Sequence, residues 1–181
     1  MASVVGGRQR WTNEQARRFL TSAREDRDPY YAAYVMILIQ GLRKGEVLGL
    51  PEDADADLPL PAIVATALRQ RLVDRADDET AAANAWQDSH LMFTRRMAPP
   101  IEPRNFDRSS HARVAKAGVP RITVHDGRRT CGSLLADLDV HPRVAMAILR
   151  HAQFAITMEI YTEVSDAANR AGLMKLGDSQ A

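Results

Sequence analysis

The stretch YYAAYVMILIQGLRKGEVLGL, residues 30–50, decides the fold. Its first ten residues, 30–39, are apolar without interruption and follow Pro29, a residue type that is common where helices begin. A helix that is apolar on all sides is buried. Gly41 suits the end of this helix, and residues 44–48 form a second, short helix. The stretch therefore predicts a buried helix, a turn and a short helix in immediate succession.

Helical spacing of apolar residues also dominates the rest of the chain. Thr12 and Gln15 have the spacing of a capping box, in which each side chain binds the backbone amide of the other. A helix with apolar residues at 63, 67, 68 and 72 is expected to end in the polar stretch 74–79. Further helices are predicted over 13–26 and about 104–117, 125–138, 142–149 and 156–164. Only 91–94 suggests an extended segment, so the predicted fold class is mainly α with at most a small residual β element.

Length and composition exclude several classes of protein. The 181 residues suit one domain, and 45% hydrophobic with 26% charged residues is an ordinary globular balance. The longest apolar run is far shorter than the about 20 residues of a membrane span, and the first residues lack the apolar core of a secretory signal. The single Cys131 excludes an internal disulfide and a cysteine-based zinc cluster. A cytoplasmic protein is the simplest interpretation.

The charges are balanced overall but unevenly distributed. The 24 basic and 23 acidic residues give a net charge of +1. Residues 1–50 carry 8 basic and 5 acidic groups and residues 101–150 carry 9 and 5, whereas 51–100 are acidic. If the two basic stretches meet in the fold, they form one positive surface. Arginines greatly outnumber lysines, which suits bidentate phosphate contacts or, alternatively, reflects a GC-rich genome.

Three segments carry a resemblance to a known family. GLRKGEVLGL (41–50), HDGRRT (125–130) and ILRHAQFAITMEIYTEV (148–164) resemble the catalytic domain of the tyrosine recombinases, the phage integrase family. Each string alone is weakly specific, but their order and separations together are typical of the family. The resemblance picks out five candidate catalytic residues: Arg43, His125, Arg128, His151 and Tyr161.

The resemblance implies transesterification of DNA without a metal ion or other cofactor. Arg43 and Arg128 would hold the phosphoryl oxygens, on which negative charge develops in the transition state. His125 would accept a proton or orient the phosphate, and His151 would donate a further hydrogen bond. Tyr161 would be the nucleophile that forms a 3′-phosphotyrosyl bond. The expected DNA contacts are Arg43, Arg128, Arg129 and Arg150.

Taken singly, these residues also have ordinary structural interpretations. Arg43 would be a solvated residue at a helix start, and His125 with Arg128 a surface pair. Tyr161 would be a half-buried core residue, and His151 a positive charge at a helix end. The other histidines (His90, His111 and His141) match nothing and are expected at the surface. Trp11 and Trp86 are expected to be packing anchors.

Three features depart from the family pattern. Family members carry a lysine on a β-hairpin after the first arginine, and that lysine is the expected acid for the leaving oxygen. Here the proline-broken, acidic residues 51–60 are too short for the hairpin, no lysine lies between Lys44 and Lys116, and Lys44 should point about 100° away from Arg43 on a helix. Gly127 replaces an apolar packing residue, and Arg150 stands where glycine often precedes the histidine.

The expected organisation is a single catalytic domain with short ends. Residues 1–10 are predicted to be a flexible lead-in, 11–165 the catalytic domain with an internal deletion near 51–60, and 166–181 a tail that docks on a neighbouring subunit. The separate DNA-clasping domain of such integrases is expected to be missing. The resemblance implies double-stranded DNA with attachment-type sites as the partner and a tetramer on DNA, with a monomer or weak dimer in free solution. One alternative is a decayed, non-catalytic DNA-binding fragment of an integrase. The other is an ordinary helical DNA-binding regulator or protein-interaction domain whose resemblance to the family is accidental.

Overall fold

The computed structural model describes residues 9–54, 60–95, 99–150 and Met174. Within these ranges the fold is mainly helical with almost no β structure, as predicted. The helices are α1 (Asn13–Glu25), α2 (Tyr31–Ile39), α3 (Lys44–Leu48), α4 (Ala62–Ala82), α5 (Pro103–Ala117), α6 (Val124–Asp137) and α7 (Pro142–Leu149), with a 3-10 turn at Ala83–Ala85. None of the described helices is both long enough and apolar enough to cross a bilayer. The predicted helix over 156–164 lies outside the described residues.

The chain divides into two compact units, Met1–Cys131 and Gly132–Ala181. In the second unit the described residues are the end of α6, a turn, α7 with its C-cap Arg150, and Met174. Asp139 takes a left-handed conformation in that turn, with φ 55°. His141 caps α7 by accepting a hydrogen bond from the backbone N–H of Arg143 at 3.2 Å.

Helix α2 is the centre of the first unit. Seven of its nine residues are buried, in agreement with the apolar run in the sequence. Aromatic rings link it to its neighbours: the ring centroid of Tyr34 lies 5.0 Å from that of Phe19 on α1 and 5.6 Å from that of Phe106 on α5. Trp11 extends this cluster, with its centroid 4.8 Å from that of Phe19. The prediction that Trp11 is a packing anchor is therefore confirmed.

The predicted capping box at the start of α1 is confirmed. The hydroxyl of Thr12 accepts a hydrogen bond from the backbone N–H of Gln15 at 3.3 Å. The side-chain oxygen of Gln15 in turn accepts from the backbone N–H of Thr12 at 3.0 Å. These bonds satisfy two amides that would otherwise lack partners at the helix start.

Helix α4 continues through the polar stretch in which it was expected to end. Arg71 and Arg75 are buried on its inner face, a burial that the charged sequence did not predict. The guanidinium Nε of Arg71 donates to the carbonyl of Met92 at 3.1 Å, and that of Arg75 donates to the carbonyl of Leu91 at 3.3 Å. Because these bonds and the acids around Arg75 tie the later turns of the helix down, α4 extends to Ala82.

The only β structure in the described residues consists of two isolated antiparallel bridges, Pro51 to Leu91 and Thr94 to Pro100. Within the predicted extended segment 91–94 only the end residues form bridges, and the chain bends at residues 92 and 93. The prediction of at most a small residual β element is confirmed. The described part of 51–60, residues 51–54 and Leu60, contributes the Pro51 bridge and no strand.

Candidate active site

A pocket of about 290 Å³ in the first unit brings together three of the five candidate catalytic residues. It lies where the turn after α2, the middle of α5 and the start of α6 meet. Its lining residues are Arg43, Lys44, Asp107, His111, Thr123, Val124, His125 and Arg128. These residues come from both basic stretches of the sequence, so the two stretches do meet at this pocket.

Arg128 is held in the pocket wall by the turn that ends α2. Its side chain is buried, and its Nη1 donates a hydrogen bond to the carbonyl of Gly41. Gly41 has a φ of 62°, a left-handed conformation that glycine adopts without steric cost. The helix-ending glycine therefore has a second role, because its carbonyl fixes the guanidinium of Arg128 beside Arg43.

Arg43 is the N-cap of α3 and has an extended backbone, with φ −73° and ψ 150°. The carboxylate of Glu46 accepts a hydrogen bond from the backbone N–H of Arg43 at 2.6 Å and forms an ion pair with its Nη1 at 2.9 Å. The side chain of Arg43 remains about half exposed. Glu46 thus steadies an arginine that a ligand in the pocket can reach.

Lys44 lines the same pocket as Arg43, although its side chain is predicted from the sequence to point about 100° away from that of Arg43. The prediction assumed that both residues lie on a regular helix, whereas Arg43 is the extended cap and α3 begins at Lys44. The Nζ of Lys44 contacts both carboxylate oxygens of Asp107 on α5, at 3.0 and 2.8 Å.

His125 lies in the first turn of α6, exposed at the pocket wall. Thr123 and Asp126 form reciprocal bonds at this helix start. The hydroxyl of Thr123 accepts from the backbone N–H of Asp126, and the carboxylate of Asp126 accepts from the backbone N–H of Thr123, each at 3.1 Å. These bonds fix where α6 begins, and so they set the positions of His125 and Arg128 one turn apart.

His111 is a pocket residue that sequence reasoning placed at the surface. It is half-buried and lies one helical turn after Asp107 on α5, so both side chains point to the pocket. Its Nδ1 lies 3.4 Å from Nη2 of Arg121. The helical spacing of Asp107 and His111 was the signal in the sequence that could have identified this wall. His90 and His141 are exposed, as predicted.

The other predicted site residues do not line this pocket or are not described. His151 and Tyr161 lie outside the described residues. Arg129 is half-buried on α6 and is not among the lining residues. Arg150, in the second unit, is the exposed C-cap of α7 and has a φ of 49°, the left-handed conformation in which a glycine is favoured. Arg150, which stands where the family pattern often has glycine, therefore has a strained backbone conformation.

One group of potential metal ligands occurs among the described residues. Glu52, Asp88 and His90 place ligand atoms within 4.8 Å of one another. Arg75 already forms ion pairs with Glu52 at 2.8 Å and with Asp88 at 2.6 Å. Its guanidinium supplies the positive charge that a metal ion would provide. None of these residues lines the pocket of Arg43 and Arg128.

The cations of this pocket suit an anionic ligand with several oxygens. Guanidinium groups present N–H donors in a planar fork that matches a phosphate, and an ammonium adds a further point charge. The two imidazoles can donate or accept hydrogen bonds according to their tautomer. The chemistry of these side chains therefore fits a phosphodiester or a similar oxyanion.

Comparison with known proteins agrees with this geometry. The family model described as "Phage integrase family" matches residues 9–168. An integrase of Saccharopolyspora erythraea is 33% identical over 82 residues, which cover 45% of this chain and 18% of that protein. The matched part is thus less than a fifth of the length of this curated relative.

Solved structures of recombinases share the fold at low sequence identity. A crystal structure of XerA recombinase has a TM-score of 0.76 and 22% identity, covering 96% of this chain and 65% of that one. The Tn1549 transposon integrase in complex with circular intermediate DNA has a TM-score of 0.78 and 18% identity, covering 96% and 67%. A lambda integrase dimer bound to a core site has a TM-score of 0.63 and 12% identity, covering 88% and 49%. The chain therefore belongs to the phage integrase family and has the fold of a tyrosine recombinase catalytic domain.

Proposed function

We propose that the chain acts in site-specific DNA recombination through metal-free transesterification, with Tyr161 as the nucleophile. The observation that carries the proposal is the meeting of Arg43, His125 and Arg128 in one pocket. These residues are far apart in the sequence, and their grouping is what phosphoryl chemistry without a metal requires. The proposed partner is double-stranded DNA with attachment-type sites, the proposed location is the cytoplasm, and a prophage is the proposed source.

The proposed reaction conserves the phosphodiester. The phenol oxygen of Tyr161 attacks the phosphorus and forms a 3′-phosphotyrosyl bond, while the bond from phosphorus to the 5′ oxygen breaks. The leaving oxygen takes a proton and becomes a 5′-hydroxyl. A 5′-hydroxyl from another strand then attacks the phosphotyrosyl bond in the reverse sense. Because one ester replaces another at each step, the reaction needs no external energy source.

The arginines and histidines of the site have different proposed tasks in this reaction. Arg43 and Arg128 bind the non-bridging oxygens and stabilise the charge that they gain in the transition state. His125 orients the phosphate or accepts the proton of Tyr161, whose free pKa of about 10 leaves it mostly protonated near neutral pH. His151 donates an additional hydrogen bond to the phosphate. Arg129 and Arg150 are proposed to contact the DNA backbone.

We further propose that cleavage by this chain is impaired. No lysine lies between Lys44 and Lys116 to protonate the leaving 5′ oxygen. Loss of a general acid typically lowers a rate by about 10²–10⁴-fold. The same observation favours the alternative function, a non-catalytic integrase fragment that only binds DNA. On DNA the proposed assembly is a tetramer with the segment 166–181 at a neighbouring subunit, and in free solution a monomer or weak dimer.

Trapping the covalent intermediate tests the proposal. Nicked duplexes with a randomised core lose a short strand after cleavage, so the phosphotyrosyl adduct cannot reverse and appears as a slower band on a denaturing gel. We expect a slowly forming adduct that Tyr161→Phe abolishes and that Tyr31→Phe, the same chemical change on α2, leaves intact. Absence of the adduct with retained DNA binding would establish the non-catalytic fragment. Absence of both would contradict the proposed function.

A further inference from the structure

The ion pair between Lys44 and Asp107 lies inside the wall of the phosphate pocket. The Nζ of Lys44 contacts both carboxylate oxygens of Asp107. We propose that Lys44 is a third phosphate-binding cation of this pocket. In the absence of DNA, its ammonium is paired with the carboxylate of Asp107. This inference rests on the proposed binding of DNA by the same pocket. It adds a residue that the family resemblance did not assign.

Asp107 is the one carboxylate among the described residues that line the pocket. The other charged lining residues are the cations Arg43, Lys44 and Arg128. A carboxylate in such a wall repels an incoming phosphate, yet it also neutralises one of the cations that the phosphate would use. Its two oxygens hold the ammonium as two phosphate oxygens would. Asp107 is therefore placed as an internal substitute for the ligand.

The accessibility of the pair makes an exchange feasible. The side chains of Lys44 and Asp107 are 33% and 37% exposed, so water and ligand can reach both. An ion pair with this exposure contributes little to stability and is inexpensive to open. The ammonium also has three donors, and the contacts to Asp107 leave at least one for a phosphate oxygen. Lys44 can thus begin to bind DNA before it leaves Asp107.

A purely structural role of the pair makes a different prediction. The pair joins α3 to α5. If it were purely structural, replacing either Lys44 or Asp107 would loosen this same connection. Lys44→Ala and Asp107→Asn would then change DNA binding in the same direction. In the proposed exchange the two substitutions act in opposite directions, because one removes a phosphate contact and the other removes its competitor.

DNA binding at varied salt concentration measures the proposed contact. The probe is a fluorescently labelled duplex of random sequence, followed by anisotropy with the full chain between about 50 and 200 mM salt. Lys44→Ala is expected to weaken binding several-fold and to reduce the slope of log affinity against log salt by about 0.9, the value for one lost phosphate contact. Lys44→Arg should restore the slope. Asp107→Asn should tighten binding several-fold with the slope unchanged.

A second lysine–aspartate pair provides the matched control. The Nζ of Lys116 lies 2.6 Å from Oδ2 of Asp26, and neither residue lines the pocket. Lys116→Ala and Asp26→Asn make the same changes in net charge and should leave the salt slope unaltered. Thermal unfolding of each variant confirms that it is folded at the temperature of the binding measurement.

If the original chain binds DNA, two results would overturn this inference without contradicting the proposed function. One is a salt slope for Lys44→Ala equal to that of Lys116→Ala. The other is a change in the same direction for Lys44→Ala and Asp107→Asn. If the original chain binds no duplex at the lowest salt, the proposed function fails together with this inference.

Discussion

Arg128 has a structural role beside its proposed chemical one, whereas the proposed role of Arg43 is mainly chemical. The guanidinium of Arg128 is buried and binds the carbonyl of Gly41. Arg128→Ala leaves that carbonyl without its donor, and we expect it to lower the free energy of unfolding by about 1–3 kcal/mol. Arg43→Ala removes a half-exposed ion pair and should cost less than about 1 kcal/mol. Both variants should bind duplex DNA more weakly than the original chain. Urea unfolding and anisotropy measure the two effects, and equal stability of the two variants would contradict the assignment.

Gly127 lies in α6 where family members carry a larger apolar residue, and its surroundings limit what can replace it. A Cβ at this position would lie 3.2 Å from Cγ2 of Ile37 and 3.8 Å from Cδ2 of Leu38. A cavity of about 20 Å³ beside these side chains gives Ile37 room to shift slightly. Because alanine gains about 1 kcal/mol of helix propensity over glycine, Gly127→Ala should raise the melting temperature. Gly127→Leu needs far more volume and should destabilise the fold by about 1–3 kcal/mol. A higher melting temperature for the leucine variant would contradict this.

Cys131 is buried, and its thiol lies 3.5 Å from the carbonyl of Ile39. Burial raises the pKa of this thiol from 9.0 to about 12. Because the thiolate is the reactive form, we expect Cys131 to resist a disulfide reagent such as Ellman's reagent at pH 8 and to react fully in denaturant. The unfolded chain ionises this thiol at lower pH than the folded one, so the contribution of Cys131 to stability is lost as the pH rises from 9.0 to about 12. Rapid reaction of the native chain would show that the thiol is accessible.

At the scale of the helices, α4 is anchored by buried arginines rather than by a continuous apolar face. Arg75 binds the carbonyl of Leu91 and the carboxylates of Glu52 and Asp88, while its guanidinium carbon lies 5.3 Å from the ring centroid of Trp86. Arg75→Ala leaves these groups unpaired, and we expect a loss of about 2–4 kcal/mol in the free energy of unfolding. Arg69→Ala, an exposed position on the same helix, should change it by less than about 0.5 kcal/mol. Similar urea midpoints for the two variants would show that α4 does not depend on Arg75.

Helix positions could be predicted from the sequence because the apolar period and the end signals act locally. The Thr12 capping box, the buried face of α2 and the end of α5 at Ala117 all follow from residues within a few positions of one another. The burial of Arg75 could not be predicted, because it depends on partners that meet only in the fold. The positions of Lys44 and His111 in the pocket could not be predicted either, because they too depend on segments that meet only in the fold. The grouping of Arg43, His125 and Arg128 was accessible only through the resemblance to a family.

For the whole molecule, the proposed loss of the lysine hairpin makes a prediction about the chemistry of the leaving group. If the proposed loss of the hairpin lysine leaves the 5′ oxygen without a proton donor, that oxygen leaves as an alkoxide, which is a poor leaving group at neutral pH. A substrate with sulfur at this bridging position releases a thiolate, which is stable near neutral pH because thiols have a pKa of about 8.5. We therefore expect the sulfur substrate to form the Tyr161 adduct about 10²–10⁴-fold faster than the oxygen substrate, the usual range for a missing general acid. Gel assays of adduct formation measure both rates, with Tyr161→Phe as the blank. Equal rates would mean that another group of the chain protonates the leaving oxygen, and the proposed impairment would then be wrong.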